Sequence, residues 1–342
     1  MNKINLKSYT LEELENFVHQ MGQPSYRAKQ IYKWIYRGQT DFEKMTDLPK
    51  SFIKELEDVA FISSLKIYKK YASDDGTIKY VFALDDKNII EGVKMKYSFG
   101  TTACISSQVG CAMGCAFCAS TQDGLVRNLA WWEMADEVLA MEKDLQEKVS
   151  RVVVMGSGEP LLNYKELIKF LRILNSPLAF NISYRRITVS TCGIVPYIIS
   201  LADENIPVTL AISLHAPNDA IRNSLMPINK TYPISQLLDA ARYYIMKTKR
   251  RITFEYILIL DVNDTKECAY ELCTLLKGLL CHVNLIPFNP VEGKEFKRSD
   301  DAKVREFEQI LLENNISATV RRETGADINA ACGQLRRSLL ER

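Results

Sequence analysis

The 342-residue sequence is short of net charge: 44 Lys and Arg against 42 Asp and Glu leave only +2. Overall composition therefore does not announce a nucleic-acid partner, and any basic footprint must be local. Long apolar runs are missing too. No window approaches 18 uncharged apolar residues, which excludes the pattern of a membrane-spanning helix, and Met1-Asn2-Lys3-Ile4-Asn5 lacks the apolar core of a secretion signal. A cytoplasmic protein without membrane contact is expected. Cysteine is scarce as well, 9 residues and an odd number. In a reducing compartment such thiols read as ligands, reactive groups and buried small side chains, not as a disulfide framework. What remains, 47% hydrophobic and 25% charged, is an ordinary globular chain, long enough for two units or for one barrel with an appendage.

Three of the scarce cysteines fall together. In Gly110-Cys111-Ala112-Met113-Gly114-Cys115-Ala116-Phe117-Cys118 the spacing is C-x3-C-x2-C, so one short loop can aim Cys111, Cys115 and Cys118 at a single metal centre. A structural zinc site closes with four protein ligands, and a plain electron-transfer [4Fe–4S] cluster usually takes four cysteines. A cubane held by three thiolates leaves one iron open to a substrate or cofactor. The alternative is that Cys104 closes a four-thiolate zinc knot in a nucleic-acid-binding module. Cys192, Cys268, Cys273 and Cys281 lie in or beside apolar segments and are expected to pack.

Along the chain, residues 1–60 read as a helical accessory domain. One helix starts at the capping box Thr10-Leu11-Glu12-Glu13, and a second runs from about 25 to 37 and stops at Gly38. The second carries Arg27, Lys29, Lys33 and Arg37 with Tyr26, Tyr32, Trp34 and Tyr36, which suits RNA phosphates and bases; a solvated basic face is the alternative. Residues 61–96 form a β-hairpin extension, with strands over 78–84 and 89–97. Glu91 falls in the second strand, by default on its exposed polar face. From 97 to 328, six apolar runs (103–106, 151–155, 186–190, 208–214, 252–259, 283–288) alternate with amphipathic helical stretches. That pattern predicts an α/β fold, a partial (β/α)6 TIM-type barrel with its chemistry at the C-terminal strand ends. Residues 329–342 form a C-terminal segment carrying Cys332.

Polar oddities cluster where the strands should end: the cysteine loop, Gly156-Ser157-Gly158-Glu159-Pro160, Ser190-Thr191-Cys192-Gly193, Ser213-Leu214-His215 and Asn289-Pro290. Gly158 permits close backbone approach, Glu159 can accept from an ammonium group, and Ser190, Ser213 and Asn289 suit a carboxylate and ribose hydroxyls. An amino acid–nucleoside chelating the open iron fits, and S-adenosylmethionine is such a molecule.

C-x3-C-x-Phe-C followed by a Gly-Glu-Pro loop resembles the radical S-adenosylmethionine (SAM) superfamily. Closer still, Cys104-Ile-Ser-Ser-Gln-Val-Gly-Cys111, Gly158-Glu-Pro-Leu-Leu-Asn-Tyr164, Leu210-Ala-Ile-Ser-Leu-His-Ala216, Met226-Pro-Ile-Asn229 and Ala330-Ala-Cys-Gly-Gln-Leu335 resemble the bacterial dual-specificity RNA adenine-C2 methyltransferases. The resemblance spans nearly the whole chain. It implies methylation of an adenine in the peptidyl-transferase region of 23S rRNA and of the adenine following the anticodon in certain tRNAs. It implies one [4Fe–4S] cluster on Cys111, Cys115 and Cys118, and a SAM pocket lined by Gly158, Glu159, Ser190, Ser213, Leu214, His215 and Asn289. Cys332 matches the methyl carrier, Cys104 its resolving partner and Glu91 the proton acceptor.

Two SAM molecules per turnover follow, one methylating Cys332 and one cleaved reductively to the radical that activates that methyl. A covalent RNA adduct and a transient Cys104–Cys332 disulfide come next. An external electron donor of the flavodoxin type and a monomeric state are expected. Asn329 stands where that family commonly has Asp. The sister group that methylates C8 of the same rRNA adenine shares the cysteines, but its loop usually reads Gly-Glu-Ala where this chain has Pro160. Candidate RNA contacts are the second helix, Lys66, Lys69, Lys70, Arg321, Arg322, Arg336 and Arg337, with Tyr36 as an aromatic that could hold the flipped base.

Overall fold

A computed structural model describes residues 3–291 and 293–335. The chain opens with strand β1 (Ile4–Asn5) and helices α1 (Leu11–Gln20), α2 (Tyr26–Tyr36) and α3 (Lys50–Val59). Strand β2 (Ala60–Phe61) then pairs back onto β1. The capping box at Thr10 and Glu13 forms as the sequence suggests. A buried ion pair between Lys7 and Asp136 ties this unit to the helix that follows the cysteine loop.

The rest is built on one ten-stranded sheet. Strands β3 (Lys66–Ala72), β4 (Ile78–Ala83), β5 (Ile89–Tyr97) and β6 (Gly100–Ile105) run antiparallel. The short ribbon β7 (Gln108–Gly110) and β8 (Leu125–Asn128) brackets the cysteine loop, and α4 (Trp131–Leu145) leads to β9 (Arg151–Val154). Five strand–helix steps complete the layer: α5 (Tyr164–Asn175), β10 (Ile187–Thr191), α6 (Val195–Asp203), β11 (Thr209–Ser213), α7 (Asp219–Leu225), α8 (Ile234–Thr248), β12 (Ile252–Leu258), α9 (Lys266–Leu276), β13 (Cys281–Pro287), α10 (Asp301–Glu313) and β14 (Ala318–Val320). The order is β14-β13-β12-β11-β10-β9-β6-β5-β4-β3, parallel from β6 to β14, with two free ends. This is the open half-barrel expected, with a seventh parallel strand beyond the six that the sequence suggests.

Buried Val152, Val189, Leu210, Ile212, Phe254 and Val283 lie in register on one face of the central strands, and the alternate positions, Ser190, Ser213 and Glu255 among them, face the cavity on the other. The hairpin is not a separate appendage. Strand β5 pairs with β6, with Val93 opposite Cys104, so the antiparallel strands extend the barrel wall.

Candidate active site

The cysteine loop is shaped by backbone that only glycine can adopt. Gly110 has φ +76°, and a Cβ there would lie 1.9 Å from the Gly124 carbonyl oxygen. Cys111 N–H donates to that same oxygen at 3.1 Å, closing the loop against the β7–β8 ribbon. The far side is held by Ala116 N–H on Leu225 O (2.9 Å) and by Phe117, edge-on to the His215 ring at 4.8 Å. Burial pushes the Cys111 thiol up to about 11 and raises Cys115 and Cys118 too, so the metal-free chain holds thiols.

One cavity at the C-terminal ends of the strands is lined by Cys111, Cys115, Cys118, Gly158, Glu159, Ser190, Ser213, His215 and Cys332. Gly158 has φ +105°, and a Cβ on it would sit 2.6 Å from Gln108 Cβ, so this floor must be glycine. The Glu159 carboxylate accepts from Leu161 N–H (3.0 Å) and Cys192 N–H (2.7 Å), while burial raises its pKa. His215 sits at φ +57°, and its Nδ1 accepts from Ile257 N–H at 3.0 Å, which leaves the proton on Nε2. Burial and the neighbouring Arg222 bring its pKa down to about 3. It is a neutral donor, not an acid–base group.

Asn289 and Cys104 face an adjoining cavity that shares Cys118, Arg321 and Cys332 with the first. Asn289 Nδ2 donates to Cys332 O at 3.3 Å, and its Oδ1 is buried with no hydrogen-bond partner among the described residues. Burial pushes Cys104 up to about 12, against the opposing pull of Arg321. Glu91 lies in a third cavity, with Lys79, Asp327, Asn329 and Gln334. It is 5% exposed, contrary to the expectation of a solvated polar face, because Lys79 pairs with it at 3.4 Å under the C-terminal loop. Leu214 does not line the cofactor cavity; its carbonyl accepts from Arg222 Nε at 3.1 Å.

Several residues escaped the sequence. Arg222 is fully buried and donates to Leu214 O, Ser213 O, Cys192 O and Asn229 Oδ1, pinning the ends of β10 and β11. Glu255, a charged residue inside the apolar run of β12, faces the first cavity, and that interruption was the available signal. Arg321, a candidate RNA contact, lines the cavity of Cys104 and Cys332, and the negative charge that Cys332 and Glu255 carry when ionised holds its pKa up against burial. Tyr36 cannot stack on a base: it is 3% exposed, packed against Tyr32 and Phe180. On α2, Arg27 is tied to Gln30 and the Asp47 carbonyl, both at 2.9 Å. Arg336 and Arg337 lie outside the described residues.

A half-barrel with a three-cysteine loop and a glycine-floored cavity at its rim defines a radical SAM protein, and residues 105–273 match the radical SAM superfamily profile. Residues 4–62 match the ribosomal RNA large subunit methyltransferase N-terminal domain. A probable dual-specificity RNA methyltransferase RlmN of Thermoanaerobacter sp. (strain X514) is 56% identical over 98% of this chain and 99% of its own. The Alkaliphilus metalliredigens protein of that name is 54% identical over 100% of this chain and 97% of its own. The crystal structure of a radical SAM methyltransferase from Sphaerobacter thermophilus superposes with a TM-score of 0.92 at 47% identity, covering 97% and 99% of the two chains. The chain belongs to the RlmN family of dual-specificity RNA methyltransferases.

The superfamily implies SAM and a [4Fe–4S] cluster, and the donor set fits. A zinc ion about 2.3 Å from each sulfur would gather its ligands around one point. Among the described residues no three Cys, His, Asp or Glu are grouped to hold a single ion. Thiols serving separate irons of a cubane need only share a wall, as Cys111, Cys115 and Cys118 do. Cys104, buried on β6, is not on that wall, and membership of the radical SAM superfamily overturns the zinc-knot alternative. The orphaned Asn289 Oδ1 is an acceptor left for a bound donor. No helix among the described residues is long and apolar enough to cross a membrane.

Proposed function

We propose that this protein methylates C2 of an adenine in the peptidyl-transferase region of 23S rRNA and C2 of the adenine 3′ to the anticodon in certain tRNAs. The observation that carries its carrier-thiol chemistry is the pair of cysteines outside the ligand triad, while Pro160 and the RlmN relatives favour C2 over C8. Cys104 and Cys332 line one cavity, and Cys332 also lines the cavity of Cys111, Cys115 and Cys118. The names of the relatives support the RNA substrates.

Adenine C2 is an electron-poor carbon that does not attack a sulfonium methyl. The bound cluster and SAM supply a one-electron route to a carbon radical. Cys111, Cys115 and Cys118 hold the cluster. Gly158, Glu159, Ser190, Ser213, His215 and Asn289 orient SAM, and Leu214 fixes the rim through its main chain. Cys332 carries the methyl group by displacement, at the cost of one SAM, and a second is consumed in activating it. Glu91 takes the C2 proton. Cys104, a thiol in its buried site, loses its proton as its sulfur attacks the Cys332 sulfur. The bond from that sulfur to the methylene carbon breaks, and the carbon gains a proton and stays on C2 as the methyl group. The adduct's unpaired electron is left on the sulfur pair, and the disulfide formed is reopened by thiol reductant. An external electron donor of the flavodoxin type, a monomeric state and a cytoplasmic location complete the reading.

Nucleoside mass spectrometry of a strain lacking the protein, and of the same strain complemented, tests it. Loss and recovery of 2-methyladenosine is the expected result. Recovery of 8-methyladenosine alone assigns the sister C8 chemistry and overturns the C2 reading.

A further inference from the structure

A single ammonium group touches two parts of this machinery. Lys79 Nζ lies 3.4 Å from Glu91 Oε1 and 3.3 Å from the Asn329 carbonyl oxygen, with the Tyr71 ring 5.2 Å away. An ammonium has three donors and can serve both oxygens at once. Lysine and glutamate are 8% and 5% exposed, so neither charge is carried by bulk water. Strand register puts them there. Tyr71 faces Lys79, Lys79 faces Val93 and Val93 faces Cys104, a row across four strands on one face of the sheet. Glu91, opposite Val81, is the diagonal neighbour of Lys79 on that face.

Asn329 begins the last four residues before and including Cys332, in a left-handed turn at φ +50°. The same hairpin grips this loop twice more, through Asp75 on Gly325 N–H (2.9 Å) and Ser73 on Asp327 (2.7 Å). In this arrangement Asn329 and Gln334 line the cavity of Glu91, while Cys332 faces the other side with Cys104. The base and the carrier thiol thus sit on opposite sides of one loop, and Lys79 touches both the base and that loop.

We infer that Lys79 is a positioning residue that couples the charge on Glu91 to the placement of the loop carrying Cys332. The inference rests on the reading of Glu91 as proton acceptor and Cys332 as carrier. When the C2–H bond breaks, its electron pair stays on the adduct and the proton goes to a Glu91 carboxylate oxygen. Lys79 is then a buried ammonium facing a neutral acid, and one carbonyl and a ring do not replace the lost carboxylate. The side chain moves toward water and gives up Asn329. The grips at Asp75 and Ser73 remain, so the loop loosens without unfolding, and C2 deprotonation precedes the motion by which Cys332, which already shares a cavity with Cys104, closes on it.

The test needs no RNA. Cluster-loaded protein is treated with iodoacetamide at fixed pH, and alkylation of Cys332 is followed by peptide mass spectrometry. Glu91→Gln and Lys79→Met should each speed Cys332 labelling about tenfold, the loss of one charge-assisted hydrogen bond. The double variant should be no faster than either single one. Lys79→Arg should stay near wild type, as should Lys70→Met on the neighbouring strand β3, which breaks an exposed pair with Asp144 of α4. Unchanged labelling in Glu91→Gln, or effects that multiply in the double variant, would overturn the coupling. Should Lys79→Met fail to fold, Glu91→Gln and Lys79→Arg still decide it. A separate incubation with RNA keeps the two readings apart. Absence of a covalent RNA adduct in Glu91→Gln would refute the base assignment alone, with the labelling result left to judge the coupling.

Discussion

Removing the guanidinium of Arg222 should loosen the rim of the cofactor cavity without touching its surface. Arg222 sits at 0% exposure and makes four hydrogen bonds: Leu214 O at 3.1 Å, Asn229 Oδ1 at 2.8 Å, Cys192 O at 2.8 Å and Ser213 O at 3.0 Å. Hydrogen bonds from a charged donor contribute about 1.5–3 kcal/mol each, but burying the charge offsets part of the sum. That offset is visible in its pKa, which burial pulls down to about 10. Arg222→Met keeps the volume and takes the charged donor from four acceptors in a buried site, so the net loss should be about 3–5 kcal/mol, as when one partner of a buried polar pair is removed. Lysine, a point donor, should recover only part of it. Equilibrium denaturation gives the stability change. Equilibrium dialysis against labelled SAM should show affinity weakened about tenfold or more, since Ser213 and Cys192 line the cavity. A stability loss below about 1 kcal/mol with unchanged SAM affinity would refute the pinning argument.

Three further outcomes follow from the same geometry. Gly110→Ala forces a Cβ onto the Gly124 carbonyl, so anaerobic reconstitution should give well under the wild-type iron per chain while far-UV circular dichroism is retained; full iron content would refute the loop argument. Cys332→Ala should keep the cluster and lose methyl incorporation into RNA, measured with radiolabelled SAM, and full activity would eliminate the carrier step. His215 has a folded pKa of about 3, below its unfolded value near 6.5. The unfolded chain therefore binds the extra proton, and stability present above pH 6.5 is lost as pH falls toward 3, by at most about 1.4 kcal/mol per pH unit. Denaturant titrations at pH 7 and pH 5 should show a shallower loss in His215→Asn, and an equal slope would exclude His215 as its source.

Regular alternation made the barrel legible. Each central strand is a short run with buried aliphatic residues on one face, and each helix shows one apolar stripe, so six strands and six helices lie where periodicity puts them. Strand β3 has no such signature: Lys66–Ala72 is exposed along nearly its whole length and exists because β4 pairs with it. Strand β14 is three residues long, too short for any period to register. The site was legible where chemistry demands a motif, at the cysteine loop and at Gly158. It was illegible where a side chain's surroundings come from far along the chain. Tyr36 looks like an aromatic among basic residues until Phe180 covers it. Arg321 and Arg322 are adjacent and both line the cavity of Cys104, and only the fold decides that the first also reaches the cofactor cavity while the second stays exposed.

The same distance explains Glu91. Its burial depends on Lys79, which is bonded to the carbonyl of Asn329, 250 positions on. A Lys and a Glu within one apolar hairpin are the trace this leaves in the sequence, each an interruption that a solvated edge would also produce. What separates the two cases is register. Lys79 opposite Val93, and Val93 opposite Cys104, put lysine, glutamate and cysteine on one face, so a hairpin that was only a pairing pattern becomes the third wall of the site. Shifting β4 by one residue would turn Lys79 to the α4 side, where a Cβ on Gly92 already meets Met141 and Glu137, and the antiparallel extension could no longer serve the loop that carries Cys332.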